Sequence, residues 1–90
     1  MYSSGQVELV WHTQSWEDYL YWQQADKQII SKINQLIKEC LRDPFHGTGK
    51  PEPLRGTLKG CWSRRIDLEH RLVYAFRENR LHILQCRYHY

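Results

Sequence analysis

The sequence predicts an α+β fold of element order β-α-α-β-β-β, with an antiparallel C-terminal meander sheet and two N-terminal helices packed on one of its faces. Three observations carry this prediction. Apolar residues recur at helical spacing through residues 26–42. A stretch rich in glycine and proline, residues 44–60, then interrupts all periodicity. Three strand-like runs follow it, separated by two short turn signals.

"VELVWH" (7–12) has β-type composition. Residues 1–6, "MYSSGQ", read as an N-terminal extension and a candidate for disorder. "SWEDYLYWQQAD" opens with Ser15 and has Asp18 three positions later. That is the spacing of a capping box with Asp in place of Glu or Gln, and Trp16, Tyr19 and Leu20 then share one helical face. Asp26 is placed to cap a second helix, whose apolar stripe is Ile29, Ile30, Ile33, Leu36, Ile37, Cys40 and Leu41. Pro44 ends it, because proline cannot continue the hydrogen-bond ladder.

Residues 44–60 contain four of the five glycines and all three prolines, so no regular element is expected there. A connection of that length is usually functional or disordered. The strand-like runs are 61–68, 70–77 and 80–90. Glu69–His70 offers one turn and Glu78–Asn79 a tight hairpin, since Asn tolerates the left-handed conformation. Alternation puts Leu72, Tyr74 and Phe76 on one face of the middle run and Arg71, Val73, Ala75 and Arg77 on the other. In the last run Leu84, Cys86, Tyr88 and Tyr90 oppose Ile83, Gln85, Arg87 and His89.

Residues 1–90 suit a single domain, which at this length buries only about 60% of its extended surface. No apolar run approaches the roughly 20 residues of a bilayer-spanning helix, and the first residues lack the basic and apolar regions of a signal peptide. The three cysteines show no C-x-x-C spacing and read as reduced thiols. These features together predict a soluble cytoplasmic protein with no membrane association. Charge is unevenly distributed. Residues 1–40 carry three Lys against five acidic residues, whereas residues 41–90 carry ten Lys/Arg against five. Eight of those ten are arginines, whose planar fork fits phosphate with two hydrogen bonds. An anionic partner follows, with RNA or DNA foremost.

The groups able to titrate or hold phosphate on strands are Arg65, Arg71, Arg87 and His89. Neighbouring strands lie about 4.8 Å apart, so these side chains can converge. Glu52 sits between Pro51 and Pro53 in "KPEPL", a stiffened bend amid Lys50, Arg55 and Lys59. A carboxylate base, an imidazole acid and a cationic clamp are what RNA cleavage by 2′-hydroxyl attack requires. Glu52 suits the base, His89 the acid, and Tyr90 could position the phosphate or stack on a base. The five histidines show neither an i, i+4 pair nor Cys/His ligand spacing, so neither metal nor cofactor is expected. A helix-turn-helix pattern is also absent, which disfavours a DNA-binding regulator.

The segments "SWEDYLYWQQADKQIISKINQLIKE", "GKPEPLRG", "WSRRIDLEHRLVYA" and "CRYHY" resemble the Txe/YoeB toxins of bacterial toxin–antitoxin modules, within the RelE superfamily, from about Val7 to Tyr90. The resemblance implies a RelE-like fold and a ribosome-dependent endoribonuclease that cuts mRNA in the decoding site. It implies Glu52 as general base, Arg71 as phosphate stabiliser, His89 as general acid and Tyr90 as the residue that positions substrate. Arg65 and Arg55 would be supporting phosphate contacts, with Lys50 and Arg87 as further RNA-binding candidates. It also implies a cognate YefM/Axe-type antitoxin that neutralises the toxin, a corepressor role on operator DNA through that antitoxin, and a capacity to form homodimers. Cys61 departs from the aromatic common at its position in the family. The alternative reading is a non-catalytic module that binds RNA or the ribosome and blocks translation.

Overall fold

The computed structural model describes residues 7–88, and these follow the expected order with one added strand. The elements are β1 (Glu8–Trp11), α1 (Thr13–Ala25), α2 (Lys27–Arg42), β2 (Glu52–Pro53), β3 (Trp62–Arg65), β4 (Arg71–Arg77) and β5 (Arg80–Gln85). They build one five-stranded sheet in the order β1-β5-β4-β3-β2. The meander β3-β4-β5 is antiparallel, as expected, and β1 joins β5 in parallel. Residues 1–6, His89 and Tyr90 lie outside the described residues.

Asp26 caps α2 as its position suggests, its carboxylate accepting from the N–H groups of Gln28 and Ile29. A cap of this kind is worth about 1 kcal/mol. The α2 stripe Ile33, Leu36, Ile37 and Cys40 meets Leu72 and Tyr74 of β4 and Leu81 and Ile83 of β5 in one core. Glu78 and Asn79 both take left-handed backbone angles and close the β4–β5 hairpin. Among the described residues no helix is long and apolar enough to cross a membrane. The cysteines are free thiols. Burial pushes Cys40 up to about 11 and Cys86 up to about 12, so both stay protonated and pack as small hydrophobes.

Four expectations need correction. The first concerns α1, which starts at Thr13 with His12 as its cap residue, so Ser15 and Asp18 form no capping box. Its buried stripe is Ser15, Asp18 and Trp22, while Trp16 and Leu20 are exposed. Those polar side chains face inward because they bind the end of the chain. Ser15 donates to the carbonyl of Ile83, and Asp18 accepts from the Cys86 N–H at 3.0 Å. Trp22 Nε1 donates to the Cys86 carbonyl at 2.9 Å.

The second correction follows from that clamp: β5 ends at Gln85 instead of running to residue 90. Both backbone groups of Cys86 are taken by helix side chains, leaving nothing for a sheet ladder. A register shift opposite Val73 and Tyr74 lets Ile83 and Cys86 both reach the core, which simple alternation forbids. Third, the run expected over 61–68 is a strand only over Trp62–Arg65. Asp67 then accepts from the N–H groups of Glu69 and His70 and turns the chain. Fourth, the proline-rich segment is not free of regular structure. Glu52 and Pro53 pair with Ser63 and Trp62, and Gly56–Leu58 forms a single 3₁₀ turn. Pairing with a neighbour, and not local propensity, makes β2 a strand.

One buried charge organises the approach to β2. Arg64 of β3 is fully buried, and its five N–H donors all find acceptors. They reach Tyr74 Oη at 3.1 Å, Glu39 Oε1 at 3.4 Å and the carbonyls of Thr48, Asp43 and His46 at 3.1, 2.8 and 2.8 Å. The loop 43–49 is thereby wrapped around one guanidinium. Gly49, at φ +89°, passes so close to β3 that an added Cβ would meet the Arg65 carbonyl oxygen at 3.0 Å.

Arg64→Met strips five acceptors of their donor, and the expected loss is about 3–5 kcal/mol, read as a lower urea midpoint. A second outcome concerns pH. The Thr48 N–H, followed by lesser hydrogen bonds and the Arg64 charge, holds the Glu39 carboxyl below its ordinary value of 4.5. The unfolded chain therefore binds the Glu39 proton first, and the stability contributed by its ionised form is present above pH 4.5 and lost as pH falls below it. Thermal unfolding of wild type and Glu39→Gln should differ most near neutrality, with the gap closing toward pH 3.

Candidate active site

Strand pairing fixes where the candidate side chains stand. Glu52 is opposite Ser63, Ser63 opposite Val73, and Arg65 opposite Arg71. All five share the face of the sheet away from α2, since the intervening Arg64, Leu72 and Tyr74 point into the core. Arg71 Nη1 lies 3.6 Å from Glu52 Oε1, with the arginine side chain 19% exposed and the glutamate 54%. Two of the expected site residues are therefore in contact, although nineteen positions separate them in the chain.

Electrostatically this corner is only partly compensated. Arg65 and Arg71 stand directly opposite each other, and like charges so placed destabilise a sheet. Glu52 offsets part of that repulsion. Arg71 Nη1 is buried and makes no hydrogen bond among the described residues, and neither does the buried hydroxyl of Ser63. An unpaired buried donor costs about 1–3 kcal/mol, which a ligand oxygen would recover. The site thus presents a guanidinium N–H, an ionisable carboxylate and a second arginine to a small anion.

Tyr88 is brought to the same corner. His70 Nδ1 accepts from the Tyr88 N–H at 2.7 Å, and the Arg71 N–H donates to the Tyr88 carbonyl at 3.0 Å. His70 must then carry its proton on Nε2 when neutral. Its ring is buried edge-on against Trp22, the same indole that holds Cys86. Tyr88 is left-handed at φ 64°, as is Lys50 at φ 53°. Such conformations cost side-chain-bearing residues about 1–2 kcal/mol and gather at functional sites.

The remaining candidates distribute as follows. Arg55 precedes the 3₁₀ turn and, with Lys50, is exposed on the segment that bears Glu52. Arg87 points elsewhere, its guanidinium stacked 3.5 Å from the Tyr21 ring of α1 and 4.7 Å from that of Tyr88. His89 and Tyr90 lie outside the described residues. Sequence reasoning passed over Arg64, Asp18, Trp22 and His70, which build and hold the site. Only Arg64 left a usable signal, because in "SRRI" a strand must point one of two adjacent arginines inward.

Comparison with known proteins identifies the family. The family profile of the YoeB-like toxin of bacterial type II toxin–antitoxin systems matches residues 11–90. Toxin YoeB of Escherichia coli K12 is 60% identical over 84 residues, covering 93% of this chain and all of that protein. Among solved structures, a YoeB/ParE toxin from Agrobacterium tumefaciens superposes with a TM-score of 0.89 at 51% identity, over 93% of this chain and 100% of that one. YoeB of Staphylococcus aureus, 45% identical, has been solved as a dimer, with TM-score 0.87 over 94% of this chain and 99% of that one, and in complex with YefM, with TM-score 0.86 over 93% and 98%. By profile, identity and fold alike, this chain belongs to the YoeB-like toxins of bacterial type II toxin–antitoxin systems.

Proposed function

We propose that this chain is an endoribonuclease toxin that cuts mRNA in the ribosomal decoding site by attack of a ribose 2′-hydroxyl, and so arrests translation. The observation that carries the reading is the Glu52–Arg71 pair with its unsatisfied, buried Nη1. Surface-exposed ion pairs are worth only about 0–1 kcal/mol. A phosphate can therefore take over Arg71 and leave Glu52 free to accept a proton.

In the reaction, Glu52 removes the proton of the 2′-hydroxyl. The O2′–P bond forms and the P–O5′ bond breaks. Arg71, with Arg65 beside it, bears the charge that builds on the phosphorane oxygens. His89, as imidazolium, gives its proton to the departing O5′. The products are a 2′,3′-cyclic phosphate and a free 5′-hydroxyl. Tyr88, one peptide bond before His89, is bonded to Arg71, which supports this assignment of the acid. Tyr90 positions the scissile phosphate, and Lys50, Arg55 and Arg87 hold flanking RNA.

The wider setting belongs to the same proposal. The chain acts as one domain in the cytoplasm. It is neutralised by a YefM-type antitoxin whose acidic segment meets the arginine-rich half, and it joins that antitoxin on operator DNA. The S. aureus relative, solved both as a dimer and with YefM, supports the partner and a homodimer.

Toe-printing of mRNA on programmed ribosomes tests the reading. Wild type should give a new stop in the decoding site, and Glu52→Gln and His89→Ala should cut about 10²–10⁴-fold more slowly. Arg71→Lys, which keeps the charge and loses the fork, should be impaired as well. Cutting that persists when the target ribose is 2′-deoxy overturns the mechanism. Full growth inhibition by Glu52→Gln and His89→Ala would favour the non-catalytic binding module instead.

A further inference from the structure

The far end of β4 repeats the electrostatic pattern of the candidate site. Arg77 stands directly opposite Arg80 where the β4–β5 hairpin closes, as Arg65 stands opposite Arg71 at the other end. In each pair a glutamate holds one member. Glu52 lies 3.6 Å from Arg71, and Glu8 accepts from Arg80 Nε at 2.7 Å. The other member, Arg65 or Arg77, has no carboxylate partner among the described residues. Like charges opposed across a ladder cost stability, so two such pairs on one strand point to a ligand that neutralises both.

Alternation places both pairs on one face. Arg71, Val73, Ala75 and Arg77 point the same way along β4. His82 is opposite Ala75, and Val10 is opposite His82, so that face continues onto β1. His12, two residues beyond Val10, brings Nε2 to 3.0 Å from His82 Nδ1. Arg77, Glu78, Arg80 and His82 line a hollow of about 240 Å³. The charged and titratable groups around His82 are Arg77, Arg80, His12 and Glu78, three of them basic. Burial first, then Arg77, His12 and Arg80, hold its imidazole below the ordinary value. Six residue steps along β4 set the two arginine pairs about 20 Å apart.

We propose that Arg77, Arg80, His82 and His12 form a second phosphate-binding subsite, which holds the backbone of the same single RNA strand whose linkage lies at Glu52 and Arg71. The proposal rests on the reading of that first site as an RNA-cutting one. Arg77 and Arg80 supply forks for phosphate oxygens, and the histidine pair supplies ring N–H donors. Single-stranded RNA tracks basic grooves in this way, by phosphate contacts spaced along the strand. Val73 and Ala75, between the two arginine pairs, are apolar and buried, so the strand's contacts are to the two pairs and not to the residues between them.

The test is fluorescence anisotropy of full-length protein with 2′-O-methyl oligoadenylates, which cannot be cut. A tetranucleotide reaches one arginine pair only, and a decanucleotide reaches both. Wild type should bind the decanucleotide at least tenfold more tightly. Arg77→Gln and His82→Leu should remove that gain, bringing decanucleotide affinity down to that of the tetranucleotide. Arg77→Gln should also lower the slope of log affinity against log salt by about 1, a readout that loss of fold would not produce. Its thermal midpoint should hold or rise, because it relieves the Arg77–Arg80 repulsion. Equal binding of the two lengths by wild type, or decanucleotide binding untouched by both substitutions, overturns the proposal. So does unchanged RNA affinity combined with lost binding of an acidic, glutamate-rich peptide, which would assign the patch to a protein segment. Failure of the cutting reading looks different: wild type would then give no new stop in the decoding site while Arg77→Gln still loses the decanucleotide gain.

Discussion

The buried guanidinium of Arg64 is the constraint on which the rest of the site depends. It lies beneath the sheet face that carries Glu52 and Arg71, and it gathers Glu39 of α2, three loop carbonyls and Tyr74 of β4 around itself. A loop that carries Gly47 and Gly49 has little conformational preference there, and fixing each residue costs about 1–2 kcal/mol. Five charge-assisted bonds to one side chain offset that cost over the loop 43–49. The Arg65 N–H then takes the Gly49 carbonyl at 2.6 Å, and the chain enters β2 in the register that sets Glu52 beside Arg71. The carboxylate's position is thus decided beneath it, by a residue that takes no part in the chemistry.

A second constraint works from the opposite end of the chain. The inward face of α1 is polar at Ser15 and Asp18 because it receives backbone groups of residues 83–86. Trp22 and His70 continue the same line of contacts to Tyr88. A helix thus holds the chain after β5 as far as Cys86. Two independent devices therefore converge on Arg71: the Arg64 loop brings the carboxylate, and the α1 clamp with His70 brings Tyr88.

How far this was legible in the sequence depended on whether a feature was local. Asp26, the α2 stripe, Pro44 and the Glu78–Asn79 hairpin each act within a few residues, and each appears in the structure as read. Ser15 and Asp18 imitated a local cap, yet the Asp18 partner, Cys86, lies 68 positions away. No spacing rule reveals such a demand. The same holds for β2, two residues long and made a strand only by its neighbour, and for β1, whose parallel partner is the last strand. In the site, Glu52 stood out through its flanking prolines and the arginines through their number. Which of Arg64 and Arg65 faces the core needed the register. His70 looked like a turn residue and is in fact a buried acceptor.

Burial of the thiols has a practical consequence. Cys40 and Cys86 are sealed in the core with their thiolate forms suppressed, whereas Cys61 is partly open to solvent. An alkylating fluorophore should therefore attach at one position without mutagenesis. That position is well chosen, because the Cys61 carbonyl accepts from the Leu54 N–H at 2.9 Å, two residues from Glu52. A dye there would report whether the proline hinge stays seated on the sheet when a ligand is added.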